Sequence, residues 1–210
     1  MAAWGIMHIT RTASVYIENM WGWTADHDLD GNNTQTISTA RGSLIETVHP
    51  TWLIGTGMEH HTLYKYNYNG AENVVSILQQ SETPYWQGTN VSLTPYPWTD
   101  YLIASDPTFQ NCGANDSHCR EAWYERIYNC KDLFTYGTSD LAHIPIDYVC
   151  GSSCEANAID LRDSAAYLYG INAHSYINLI TNNGTPVVTT SEVSDATGNI
   201  IAGVIAAYLP

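Results

Sequence analysis

Apolar and polar residues alternate along this chain in short runs. Val15-Tyr16-Ile17-Glu18, Gly42-Ser43-Leu44-Ile45-Glu46 and Thr51-Trp52-Leu53-Ile54 are the first. Thr62-Leu63-Tyr64-Lys65-Tyr66, Val74-Val75-Ser76-Ile77-Leu78, Leu133-Phe134-Thr135-Tyr136 and Ala166-Tyr167-Leu168-Tyr169 follow. Period-two runs bounded by Asn, Gly and Pro predict β-strands, and many of them predict an all-β protein. The best helix candidate is Cys119–Arg126, a segment that also reads as a strand. The apolar tail Ile200–Leu209 is too short to span a bilayer and predicts a last buried strand.

Two architectures fit this pattern. A sandwich favours two-residue turns such as Asn-Gly between strands, and these occur only at Asn69-Gly70 and Asn183-Gly184. A parallel β-helix is the alternative, with three short strands and roughly 20–30 residues per coil. Two segments fit neither as regular strands: Pro95 through Asn115, and Cys150 to Ala158. Long loops of this kind often shape a site.

The coil reading gives geometry to two glutamates. Glu59 and Glu82 lie 23 residues apart, each in an aromatic, polar run. That spacing is about one coil, which stacks residues on one face at roughly 4.8 Å. Asp26 precedes Glu59 by 33 residues and is expected on the coil before it. Acids in one column repel, and burial among aromatics adds to this, so at least one carboxyl should hold its proton more tightly. Such a carboxyl can donate to a leaving oxygen, and a carboxyl pair is what glycoside hydrolysis uses.

Composition narrows the partner. The 210 residues suit one domain, 1–210. Net charge is −14 with only seven Lys and Arg, which disfavours nucleic acid and anionic membranes. Trp (7) and Tyr (15) far exceed Phe (2). Rings with a polar handle suit a neutral carbohydrate surface, and also a β-rich core. Cysteines at 112 and 119, and at 150 and 154, read as two small disulfides, with Cys130 left over. With sequons at Asn32, Asn90, Asn115 and Asn183 they favour an oxidising, secretory context. The N-terminal stretch Met1–Arg11 does not read as a signal peptide.

Other chemistries find little support. Asp26, Asp28, Asp30 and Gly31 match the start of an EF-hand loop, but position twelve is Ile37. His27, His49, His60 and His61 are too irregularly spaced for a metal set, and read as satisfied polar residues beside a cleft. No Gly-x-Ser-x-Gly elbow or dinucleotide fingerprint is present. No metal or cofactor is expected. Trp23, Trp52, Tyr85 and Trp86 are core or substrate-stacking candidates. Trp23 and Tyr85 stand out because each lies three residues from an acid.

Several motifs in register carry a resemblance over roughly residues 4–175. Tyr16-Ile17-Glu18-Asn19-Met20-Trp21-Gly22-Trp23-Thr24-Ala25-Asp26-His27-Asp28, Gly55–Tyr64 and Gln79-Gln80-Ser81-Glu82-Thr83-Pro84-Tyr85 resemble fungal exo-β-1,3-glucanases of glycoside hydrolase family 55. Asp106-Pro107 and Cys112…Cys119-Arg120-Glu121-Ala122-Trp123 match as well. The resemblance implies a single-stranded right-handed parallel β-helix with long loops, the second of two tandem helices, with the first absent here. It implies inverting release of glucose from the non-reducing end of β-1,3-glucan, outside the cell and without a cofactor. Glu82 would be the general acid, and Glu59, Trp23, Asp26 and Tyr85 the −1 sugar subsite. The attacking water would be held by the first helix. The alternatives are a non-catalytic β-helix that binds carbohydrate, and a pectate-lyase-like helix, which the scarcity of Lys and Arg disfavours.

Overall fold

A computed structural model describes residues 3–26, 37–84, 103–113, 116, 118–141, 154–197 and 200–209. Every alternating run named above overlaps a strand, with only Val15 and Glu46 falling just outside. In chain order these are β1 (Ala3–Ile9), β2 (Tyr16–Trp23), β3 (Thr39–Ile45), β4 (Thr51–Glu59), β5 (His61–Asn69), β6 (Glu72–Glu82) and β7 (Trp123–Tyr128). Then come β8 (Lys131–Leu141), β9 (Glu155–Arg162), β10 (Ala166–His174), β11 (Tyr176–Asn182), β12 (Thr185–Thr189), β13 (Ser194–Thr197) and β14 (Ile200–Tyr208). The helix candidate at Cys119–Arg126 resolves into a 3₁₀ turn, His118–Arg120, followed by β7. One short helix, α1 (Thr190–Val193), precedes β13.

Up to β11, odd and even strands separate into two sheets, β1-β3-β5-β7-β9-β11-β12 and β13-β14-β10-β8-β6-β4-β2. From β1 to β11 every pairing is parallel, and each strand pairs with the one two places on. The chain therefore passes alternately through two sheets. Among the described residues, each turn of chain carries two strands rather than the expected three, and two of the corners are single residues. His60 alone separates β4 from β5, and Ser175 alone separates β10 from β11, both with positive φ (64° and 65°). After β11 the winding stops. Asn183 and Gly184, also at positive φ, close an antiparallel hairpin to β12.

The interior consists of rows in register. Thr51, Val74, Leu133 and Ala166 form one row, and Leu53, Ser76, Thr135 and Leu168 the next. All eight are buried. Tyr66, Tyr68, Tyr124 and Tyr176 are buried completely, and their hydroxyls reach across the core. Tyr66 donates to the Thr56 carbonyl (2.8 Å) and Tyr68 to Gln79 Oε1 (2.8 Å), while Gln79 Nε2 donates to Tyr124 Oη (3.0 Å). Much of the tyrosine excess thus serves the core. A phenylalanine there would leave Gln79 short of partners.

The outer side of β3 and β5 is buried as well. The segment 103–113 covers it, held by Arg41 donating to both Asp106 oxygens and by Asn67 donating to Ser105. The Cys112–Cys119 disulfide ties the end of that segment to the start of β7's turn. Cys130 is a buried free thiol. Cys154 is buried, and Cys150 lies outside the described residues. The tail forms β14 as a strand, but not a buried one. It pairs antiparallel with β10, among the described residues the short β13 alone lies beyond it, and Val204 is 57% exposed.

Candidate active site

The outward face of the even-numbered sheet carries the acids. Side chains alternate across a strand, so Glu82 and Gln80 of β6 point out while Ser81 points in. β4 follows the same phase with Glu59 and Gly57. Parallel register then places Trp23, Glu59 and Glu82 in one row and Trp21, Gly57 and Gln80 in the row beside it. The stacking of Glu59 on Glu82 expected from their spacing is present. The third member of that row is Trp23, not Asp26. Asp26 lies past the end of β2, where the chain has turned the corner. It is buried against His60, with Oδ1 2.7 Å from Nδ1.

Trp21 and Trp23 stack, with centroids 5.0 Å apart and planes at 10°. Trp21 Nε1 donates to Glu59 Oε2 (2.9 Å). Gly57 makes this possible, because a Cβ there would lie 3.0 Å from Gln80 Oε1 and 3.2 Å from Trp21 Cδ1. A recess of about 350 Å³ is lined by Trp21, Gly55, Thr56, Gly57, Glu59, Leu78 and Gln80. Trp21 and Gln80 are thus site residues that the sequence reading left out. Their signal was the period of two from Trp23 and Glu82.

Burial, and next the charge of Glu82, hold the Glu59 carboxyl above the usual glutamate range, while Trp21 and Gln80 oppose the shift by hydrogen bonding. His60 is buried between two acids, with Nε2 3.4 Å from Glu82 Oε2. Burial alone would lower its affinity for a proton, but hydrogen bonds to Asp26 and Glu82 and their charges overcome this and push it up to about 9. His61 behaves oppositely. Complete burial pushes it down to about 3, so it is neutral, donating to the Gly22 carbonyl (2.9 Å) and accepting from Thr24 (3.3 Å).

Donor atoms of Glu59, His60 and Glu82 lie within 4.8 Å of one another, close enough for a divalent ion. Both His60 nitrogens already face carboxylates, however, so the cluster is built to share protons. Tyr85 lies outside the described residues, as do His27, Asp28 and Asp30. His49 is remote from this cluster, bonding through its backbone to Thr47.

Beneath the site, Lys65 of β5 is fully buried. Its Nζ donates to Thr83 Oγ1 (2.8 Å) and the Ala122 carbonyl (2.9 Å) and lies 4.0 Å from Glu155 Oε1. Thr83 in turn donates to Glu155. The residue after Glu82 is therefore anchored to the core.

No family model matches the chain. A probable glucan endo-1,3-beta-glucosidase of Arthroderma benhamiae is 39% identical over 196 residues, 90% of this chain and 22% of that protein. A non-secreted LysM effector of Penicillium expansum, LysM15, is 32% identical over 97% of this chain and 14% of its own length. The chain spans about a fifth or less of these curated relatives. The solved structure of sacteLam55A from Streptomyces sp. SirexAA-E shares the fold, with a TM-score of 0.59 at 13% identity over 96% of this chain and 32% of that one. The resemblance drawn from the motifs therefore holds: the chain is homologous to part of a probable glucan endo-1,3-beta-glucosidase and shares the fold of sacteLam55A.

Proposed function

We propose that this chain is the acid-bearing part of an inverting exo-β-1,3-glucanase, a single right-handed parallel β-helix domain that works against a second β-helix domain outside the cell. The Arthroderma relative's name supports β-1,3-glucan as substrate. That the chain spans about a fifth of this relative's length supports a companion domain. The Cys112–Cys119 disulfide suits an oxidising compartment.

The observation that carries the reading is the in-register pair Glu59 and Glu82 on an outward sheet face beside Trp21 and Trp23. Glu82 is the proton donor. Its side chain is 25% exposed, open to a leaving glycosidic oxygen. Glu59 is more enclosed and is tied to Trp21. Its raised proton affinity suits a group that donates a hydrogen bond to a sugar hydroxyl rather than attacking as a nucleophile. Glu59 and Glu82 are partners on neighbouring strands, about 4.8 Å apart, which leaves no room for the water that an inverting acid–base pair holds between its carboxyls. The attacking water accordingly belongs to the companion domain. Trp23, Asp26 and Tyr85 complete the sugar subsite, Asp26 by orienting His60.

The test is hydrolysis of laminarin by the chain joined to its companion domain, followed by NMR of the first-formed product. Glucose alone, released as the α-anomer, is expected, and Glu82→Gln should abolish it with the fold intact. First-formed β-anomer would overturn inversion, longer oligosaccharides would overturn exo attack, and a fully active Glu82→Gln variant would overturn the assignment of the acid.

A further inference from the structure

His60 occupies a strained position. Its φ of 64° lies in the left-handed region, uncommon for non-Gly residues although His, Asn and Asp enter it more often than others. Such strain persists only where the surroundings fix it. The ring is 1% exposed, between Asp26 Oδ1 at 2.7 Å and Glu82 Oε2 at 3.4 Å. Trp23 Nε1 also comes within 3.3 Å of Nδ1. The shorter contact identifies Nδ1 as a donor to Asp26, and a donor nitrogen cannot accept from Trp23.

Ionised carboxylates only accept hydrogen bonds. The Nε2···Oε2 contact therefore contains one hydrogen, on nitrogen or on oxygen. With the hydrogen on nitrogen, His60 is a cation beside a Glu82 carboxylate. With it on oxygen, His60 is neutral and Glu82 is a carboxylic acid.

Charged and titratable groups reach His60 from several elements. Asp26 follows β2, Glu59 ends β4, His61 opens β5 and Glu82 ends β6. Of these acids, Asp26 and Glu82 contact the ring nitrogens in hydrogen-bonding geometry.

We propose that His60 is a positioning residue for Glu82, an imidazole whose Nδ1–H is fixed by Asp26 and whose Nε2 shares one proton with the Glu82 carboxyl. This rests on Glu82 being the proton donor. As the C–O bond of the glycoside breaks, the shared proton leaves through Glu82 to the departing oxygen. Glu82 remains a carboxylate and His60 a neutral imidazole, still held through Nδ1–H. A solvent proton taken up at Nε2 or Oε2 restores the starting state.

The experiment is ¹⁵N-histidine NMR of this chain between pH 5 and 10. His60→Asn, which suits the left-handed corner, identifies the signal by its loss. His60 is expected to be doubly protonated at pH 7 with a midpoint near 9. Glu82→Gln should lower that midpoint by about one pH unit or more, a tenfold loss of proton affinity seen first at Nε2. Exposed Glu18→Gln should leave it unchanged. A midpoint near 6.5, or one indifferent to Glu82→Gln, would overturn the proposal. The measurement needs no turnover. If the Glu82→Gln enzyme still hydrolyses laminarin, the assignment of Glu82 as the proton donor fails while the His60–Glu82 coupling stands.

Discussion

Replacing Lys65 by Met should expose how strongly the core depends on one cation. Methionine keeps an unbranched chain of similar length and removes only the charge and its donors. Lys65 Nζ makes two hydrogen bonds and lies 4.0 Å from Glu155 Oε1. The charges of Glu155 and Lys65 are both felt at Glu121 and at Asp140. Burial already pushes Glu121 up to about 10 and Asp140 up to about 7. At 4 Å and an effective dielectric of about 20, one such pair is worth about 4 kcal/mol. Removing one partner of a buried pair typically costs about 3–5 kcal/mol, because the other is left uncompensated. A domain of this kind has about 5–15 kcal/mol in total. Protonation of the stranded acids relieves the penalty, so it should depend on pH. Urea unfolding followed by tryptophan fluorescence should show a loss of about 4 kcal/mol at pH 8 and less than half of that at pH 5. Equal midpoints for the two proteins at pH 8, or the same loss at both pH values, would refute the reasoning.

Stability should fall from pH 5 to pH 9. Burial pushes Glu125 and Asp140 up to about 7 from 4.5 and 3.8, so what they contribute is complete below those lower values and is lost as pH rises to 7; His60 adds a second loss between 6.5 and about 9. His61, pushed down to about 3, acts the other way and weakens the fold as pH drops below 6.5. A thermal midpoint higher at pH 9 than at pH 5 would contradict this balance. Gly42→Ala should cost about 3 kcal/mol or more, since its Cβ would sit 2.2 Å from the Lys65 carbonyl oxygen between β3 and β5; chemical denaturation measures it. Gly57→Val should leave the fold largely intact but displace Trp21 and Gln80, weakening laminarin binding about tenfold by calorimetry.

The strands were legible because alternation is local, and the Glu59–Glu82 stack was legible because no insertion separates β4 from β6. Longer segments at 85–117 and 142–153 interrupt the later turns and hide their repeat. Asp26 could not be placed from its offset to Glu59, since the corner after Trp23 turns it out of the row and onto His60. The tyrosine excess was ambiguous. Its large share in the core follows from hydroxyls that cross to Gln79 and Thr56. Two motifs that carried the resemblance serve the scaffold: Asp106 binds Arg41, and the Ala122 carbonyl of the Cys119–Trp123 stretch receives Lys65.

By itself the sequence determined an all-β chain, its acidic and carbohydrate-compatible character, and the glutamate pair, since each depends on composition or on spacing within one turn of chain. The tertiary structure alone decided that His60 lies between Asp26 and Glu82, that Trp21 rather than Trp23 holds Glu59, and that Lys65 gathers Thr83 and Glu155 beneath the site. Those contacts join residues from different strands and corners. Their meeting depends on where the chain bends, and a corner of one residue leaves almost no mark in the pattern of hydrophobic and polar positions.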